Sequence, residues 1–492
     1  MDLYATPIDI GTRAPTVILN TADAAELGVH PLDRVEIQHD GSTVVGIVEL
    51  TDELVDVGEL AVTRPLGHID GEVTVTIAPN PTSASSIRKK LDDIELEADE
   101  LDAIVTDIKW DRLTDAELSA FVTSIYTNGL SRAEIVHLTE SMVAAGETMT
   151  WDSGLVADKH SIGGVAGNRV TPIVVPIAAA AGVTIPKTSS RAVTSAAGTA
   201  DTMEVFCDVE LDIDEIRDVI AETNGCMVWG GGVNLSPVDD KIIRVETPLS
   251  LDPPGQMIAS VLSKKKSAGS SRVVIDIPYG EGAKVHSLDA AREMAEDFDR
   301  VGSALDMTVD CAITRGSQPI GRGIGCGLEA RDVLDVLQGN GPQDLRLKSI
   351  NLADMLLSAC DVDDTAAEIL EDGRALESFR EIIAAQNGDP DVTKDDLPIG
   401  EYTATIEAQR SGLVSNANNR LVNETARRAG APKDKGAGLT LAVRVGDAVD
   451  ESSVLFTIYA QTEEKLDEAV RFARQEVPVR VSGPDEALVE RY

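Results

Sequence analysis

Between Asp158 and Asp201 lie 42 residues without a single Asp or Glu, where the chain's average of 84 acids in 492 residues would place about seven. The stretch, DKHSIGGVAGNRVTPIVVPIAAAAGVTIPKTSSRAVTSAAGTAD, offers Lys159, His160, Arg169, Lys187 and Arg191 instead. Gly163, Gly164 and Gly167 let backbone N–H groups approach a ligand closely, as phosphate nests do, and Lys159 and Ser161 flank that turn. Downstream, TSSRAVTSAAGT adds six hydroxyls and a guanidinium at an expected strand-to-helix junction, where free N–H groups favour an anion. A Gly/Ala-rich helix packed on a sheet would account for the glycines. It would not account for the missing acids.

A second acid-free window, residues 253–275, holds Ser260, the run Lys264, Lys265 and Lys266, and Arg272; Lys284 follows. Such a run is ordinarily a solvated helix end, a reading that is less convincing in a chain with only 15 Lys. Asp252, in SLDPPG, is an isolated acid at the edge of this window. It suits a proton donor to a leaving group, or a helix N-cap. The residues themselves therefore point to a site for an anionic substrate, with two phosphate-sized subsites and one carboxyl beside them.

Other chemistries lack their motifs. There is no GxxxxGK[ST], HExxH, GxSxG or EF-hand loop, and WGGG at 229–232 lacks dinucleotide-binding spacing. The five Cys are scattered without a CxxC pair, as expected of reduced thiols. A net charge of -41 argues against nucleic-acid binding and fits adaptation to high salt. Neither a signal peptide nor a membrane span is expected. The longest apolar run, Ile173 to Val183, is eleven residues and contains Pro176, so a soluble, cytoplasmic protein is expected.

The elements that must position these residues fall into blocks. Residues 3–78 read as strands with one short helix, capped by Thr21 or Asp23, in a small barrel-like domain. After the linker APNPTSASS come helices opened by two capping boxes, Thr114 with Glu117 and Ser131 with Glu134. From 155 onward β-branched runs alternate with helical segments, the pattern of an α/β sheet of parallel type. A second linker, AAQNGDPDVTKDDLPIG, precedes a last block of short strands and helices.

The long motif around Lys159, with LSPVDDK, IASVLSKKKSAG and the tail AGAPKDKGAGLTLAVRVGDAVDESSVLFTIYA, resembles the thymidine phosphorylase family over roughly residues 85–480. The extra N-terminal β domain resembles that family's archaeal, AMP-using branch. The resemblance implies an α/β multidomain fold. Its parts are an N-terminal β-rich barrel-like domain (1–83), a helical domain (84–154, with 238–268 contributing), a central α/β phosphate-binding domain with a mixed sheet (155–237 and 269–395), and a C-terminal α/β hammerhead domain (396–492). It further implies that Lys159, Ser161, Thr171, Ser189 and Thr199 hold inorganic phosphate. AMP would contact Gly164, Ser190, Arg191, Ala192, Val193, Thr194, Ser195, Thr199, Ser260 and Lys284, and Asp252 would be the proton donor.

Two departures bear on the base. Nucleoside-using relatives carry SGRGLGHTGGT where this chain has SSRAVTSAAGT. The Arg that reads pyrimidines ahead of SLDPP is out of register, Arg244 lying one position away. Both fit a base other than uracil or thymine. The expected reaction is phosphorolysis of AMP to adenine and ribose 1,5-bisphosphate, with CMP and UMP as further substrates and no metal or organic cofactor. A nucleoside phosphorylase is the alternative within the class, and a non-catalytic nucleotide sensor the alternative outside it. The resemblance also implies a homodimer or larger homo-oligomer.

Overall fold

The computed structural model describes residues 1–152, 155–192, 195–249 and 251–483. It divides into two compact units, Met1–Ser141 with Lys241–Pro253, and Met142–Asp240 with the chain from Pro254 onward.

In the first unit six strands close into a barrel: β1 (Asp2–Ile8), β2 (Thr16–Asn20), β3 (Arg34–His39), β4 (Ser42–Thr51), β5 (Glu59–Thr63) and β6 (Gly71–Ile77), in the order β1-β5-β2-β4-β3-β6. Alternate residues such as Leu3 and Ala5, Val35 and Ile37, and Val73 and Val75 fill its interior, and closure leaves no open sheet edge. The short helix Thr21–Leu27 is capped by Asn20, whose side chain accepts from Ala22 N–H, rather than by Thr21 or Asp23. Asn20 is the last residue of β2 and still extended, which is the backbone state an N-cap needs. Four helices follow, Ala84–Leu91, Ala98–Lys109, Asp115–Asn128 and Arg132–Ala145. Both expected capping boxes form: Glu117 N–H reaches Thr114 Oγ1 at 3.3 Å, and Glu134 N–H reaches Ser131 Oγ at 3.2 Å, each reciprocated. Glu134 also accepts twice from the buried Lys90, at 2.8 and 2.9 Å.

The second unit carries β7 (Ala157–Ser161), β8 (Ile185–Ser189), β9 (Gly225–Trp229), β10 (Arg272–Tyr279) and β11 (Thr308–Arg315). Strand β10 lies between β11 and β7, β8 pairs with β9, and a bridge from Val156 to Thr184 links the two sets. Every one of these pairings is parallel, so the mixed sheet expected for this region is not what these strands form. The reason lies in the connections: helices Thr171–Ala180, Ile213–Thr223 and Leu288–Ala304 carry the chain back before each next strand. The first of them is apolar all round, with nine of its ten residues buried, as a helix inside a core must be. Antiparallel pairing, among the described residues of this unit, involves the C-terminal strands and the short strand Gly323–Ile324 that pairs with one of them. Tyr402–Glu407, Val454–Ala460 and Gly438–Leu441 form a sheet with Gly323–Ile324, and Gly412–Ala417 joins Val479–Ser482 and Ala448–Val449. Helices Asn419–Arg428 and Glu463–Glu476 pack with them around a shared apolar core.

Among the described residues four Lys (Lys90, Lys159, Lys187 and Lys265) and nine acids are buried, so most of the acidic excess of the sequence stays on the surface. The melting temperature should therefore climb as salt rises from tens of millimolar to about 1 M, where the screening length falls to about 3 Å. A flat or falling curve by scanning fluorimetry would remove the repulsion argument.

Candidate active site

Parallel register places Ser161 of β7 beside Asp276 of β10, and Lys159 beside Val274. Side chains two apart on a strand share a face, so Lys159, Ser161 and Asp276 project to the same side, as does Thr314 of β11. Asp276 is fully buried. Its carboxylate accepts from Ser161 Oγ at 2.8 Å, Thr314 Oγ1 at 2.6 Å and Asn168 Nδ2 at 3.2 Å, and pairs with Lys348 Nζ at 2.8 Å. These cations and donors hold its pKa below the usual carboxylate range despite burial. Burial brings Lys159 down to about 7, against the opposing pull of Asp276.

After β7 the chain turns through Gly163 and Gly164, both at φ +87°. A Cβ on Gly164 would lie 2.8 Å from the backbone nitrogen of Lys284, so two of the expected AMP contacts meet here through the main chain. Thr171 opens the apolar helix and is buried. Ser189, the last residue of β8, has a buried hydroxyl with no partner among the described residues. Arg169 pairs with the buried Glu329 and donates to Thr199 Oγ1 at 2.9 Å and to the Ala197 carbonyl at 2.8 Å. Thr199 is thereby tied back to the segment that carries Lys159.

The segment around Ser195 is held from the C-terminal helix Asn419–Arg428. Asn423 Oδ1 accepts from Ala196 N–H at 3.1 Å, and Arg427 Nη1 donates to the Ser195 carbonyl at 3.2 Å. Asn419 on the same helix accepts from Ala166 N–H at 3.0 Å and donates to the Gly316 carbonyl at 2.8 Å. Ser190 is exposed, while Ala192 N–H and Gly198 N–H both donate to Asp201. Val193 and Thr194 lie outside the described residues. Arg191 points its guanidinium at Asp201, Glu204 and Glu210 and stacks 5.0 Å from the Trp229 ring; the carboxylates raise its pKa further.

Space thus refills what the sequence had cleared. Asp158 pairs with Lys265 at 2.6 Å and Lys187 at 3.3 Å, Lys264 meets the buried Asp239, and Lys266 donates to the Leu305 carbonyl. The Lys264–Lys266 run is therefore no open basic patch. His160, facing Lys265, Lys187, Lys264 and Lys159, is pushed well below its ordinary pKa, first by burial, and stays neutral. Ser260 is half-buried on the helix Pro254–Ser267 and Lys284 is exposed. Asp252 is exposed and belongs to the first unit. Burial pushes the thiols of Cys226 and Cys326 up to about 12, which leaves them poor nucleophiles. Among the described residues no group of three or more His, Cys, Asp and Glu is arranged to hold a metal, and no helix is long and apolar enough to cross a membrane.

Asp276, Lys348, Asn168 and Glu329 build this site and were absent from the sequence-based set, while Arg169 was noted only as one of the cations of the acid-free stretch. Asp276 stands in VVIDIPYG, a buried strand interrupted by one acid, and that interruption was the available signal.

The parallel α/β core that carries Lys159, Ser161 and Asp276 lies within a stretch that family comparison assigns to the glycosyl transferases. Residues 153–378 match the glycosyl transferase family a/b domain, 84–146 its helical bundle domain, and 413–480 the pyrimidine nucleoside phosphorylase C-terminal domain. A solved structure of anthranilate phosphoribosyltransferase from Thermus thermophilus shares this fold at TM-score 0.51 and 16% identity, covering 62% of this chain and 99% of its own. At full length the chain is 59% identical to the AMP phosphorylase of Natronomonas pharaonis, covering 100% of both. It is 46% identical to AMP phosphorylase 1 of Archaeoglobus fulgidus (95% of each) and 46% identical to the AMP phosphorylase of Thermococcus kodakarensis (97% of each). The chain belongs to the AMP phosphorylase family.

Proposed function

We propose that this protein cleaves AMP with inorganic phosphate, giving adenine and ribose 1,5-bisphosphate. The observation that carries the reading is full-length identity of 59% with a protein named AMP phosphorylase. Phosphate, held by Lys159, Ser161, Thr171, Ser189 and Thr199, attacks C1′; the new C1′–O bond forms as the bond from C1′ to the base nitrogen breaks. Asp252, protonated, donates its proton to a ring nitrogen of the departing adenine. The fixed cation and hydroxyls hold the nucleophile in line and place its charge against the developing sugar cation.

Gly164, Ser190, Ala192, Val193, Thr194, Ser195, Thr199, Ser260 and Lys284 are the proposed AMP contacts. Arg191 belongs with them, though its four terminal N–H groups are spent on three carboxylates, leaving Nε–H or its backbone for the nucleotide. Phosphate is the co-substrate, and no metal or organic cofactor enters this scheme. The same reading includes the domain limits given above, a C-terminal hammerhead, a homo-oligomer and a salt-adapted cytoplasmic archaeal setting.

Incubation with phosphate and either AMP or adenosine, with release of base followed, tests the reading. AMP should react far faster, because its own 5′-phosphate supplies binding energy remote from the reacting bond. Equal rates would remove the role of the 5′-phosphate, and no release from any nucleotide, CMP and UMP included, would leave a binding module without turnover.

A further inference from the structure

The Ser161 hydroxyl has one proton, and here that proton is directed to Asp276 Oδ2, so it is not offered to an anion. Asn168 Nδ2 lies 3.2 Å from both Ser161 Oγ and Asp276 Oδ2, and its Oδ1 has no partner among the described residues. Turning the amide over would set its oxygen against the carboxylate, so the amide is held in this orientation. From these contacts we propose that Asp276 is a positioning residue for the phosphate nucleophile. It faces the Lys159 ammonium and stores the Ser161 proton, and Asn168 keeps the carboxylate satisfied when Ser161 turns that proton to phosphate. The inference rests on the phosphate site proposed above and names what loads it.

Lys159 is faced by Asp276 from β10, by Lys348 from the helix Gln343–Ala359, by Arg169 from the turn before Thr171–Ala180, and by Asp158 from its own strand. The carboxylates favour its charged form and the cations oppose it. Removing one of each should therefore move phosphate binding along the pH axis in opposite directions, which general loosening of the fold would not do.

The test is calorimetric titration of inorganic phosphate into the full chain between about pH 6 and 9. In Asp276→Asn the pH at which affinity falls should drop by about one unit, and in Lys348→Met it should rise by about one unit. Asn168→Ala should weaken phosphate by about tenfold without moving the profile. Variant profiles coinciding with the parent's overturn the role of Asp276 while leaving the phosphate site in place. Failure of the parent protein to bind phosphate removes the site and this inference together. If Asp276→Asn does not fold, the direction of the Lys348→Met shift decides alone.

Discussion

Asp252→Asn should cut turnover of AMP by about 10²–10⁴-fold, the usual scale for loss of a general acid. The substitution keeps size and hydrogen-bonding capacity but removes an acidic proton. Adenine leaves as an anion unless a ring nitrogen is protonated as the bond breaks, so the loss falls on the transition state. KM for AMP should barely move, since the proton passes only during bond cleavage. Steady-state kinetics with saturating phosphate separates the two constants. Normal turnover in the variant would make Asp252 a surface charge or a cap, and the scheme would need another acid.

Lys159→Ala should act on phosphate instead. Losing a charge-assisted contact worth about 1.5–3 kcal/mol raises KM for phosphate by about 10–100-fold. The pH dependence should change as well. With Lys159 near 7 in the free protein, phosphate binding favours the ammonium, draws in part of a proton, and weakens as pH rises above about 7. Stability runs the other way. The unfolded lysine keeps its proton to about 10.5 while the folded one releases it near 7, so the destabilisation is full below 7, is relieved progressively between 7 and 10.5, and is absent above 10.5. Between 7 and 10.5 the unfolded chain binds more protons than the folded one, so stability relative to the alanine variant rises with pH across that window. The alanine variant should lose this contribution to both profiles. Phosphate KM measured across pH for both proteins checks it, and superimposable curves would put Lys159 outside the phosphate site.

Much of the architecture was legible from local signals. Both capping boxes, the strand-rich start and the β/α alternation depend on neighbours in sequence, and the structure shows all of them. Lys159 and Ser161 stood out because their side of β7 sits in a stretch without acids. What escaped was pairing across distance. Asp276 reaches Ser161 over 115 residues and Glu329 reaches Arg169 over 160, and both partners lie outside the cleared windows. A sequence window records which charges are absent nearby, not which arrive by strand register. Lys265 shows the same limit, since a run of three lysines looks solvated until Asp158 is placed against it. The mixed sheet implied by the resemblance is not what β7 to β11 form, whereas the β/α alternation in the sequence pointed to their parallel pairing.

The C-terminal family domain, matched at 413–480, reads as a separable module of heredity, yet its boundary in sequence is not a boundary in mechanics. Asn419 and Asn423 lie one helical turn apart on the same face, and each terminates a backbone N–H of a different loop, Ala166 and Ala196. Lineages that exchanged this module would have to carry both asparagines at that spacing or leave two amides without acceptors. A segment outside the proposed substrate contacts thus carries a two-letter inheritance requirement, written by loops more than two hundred residues upstream.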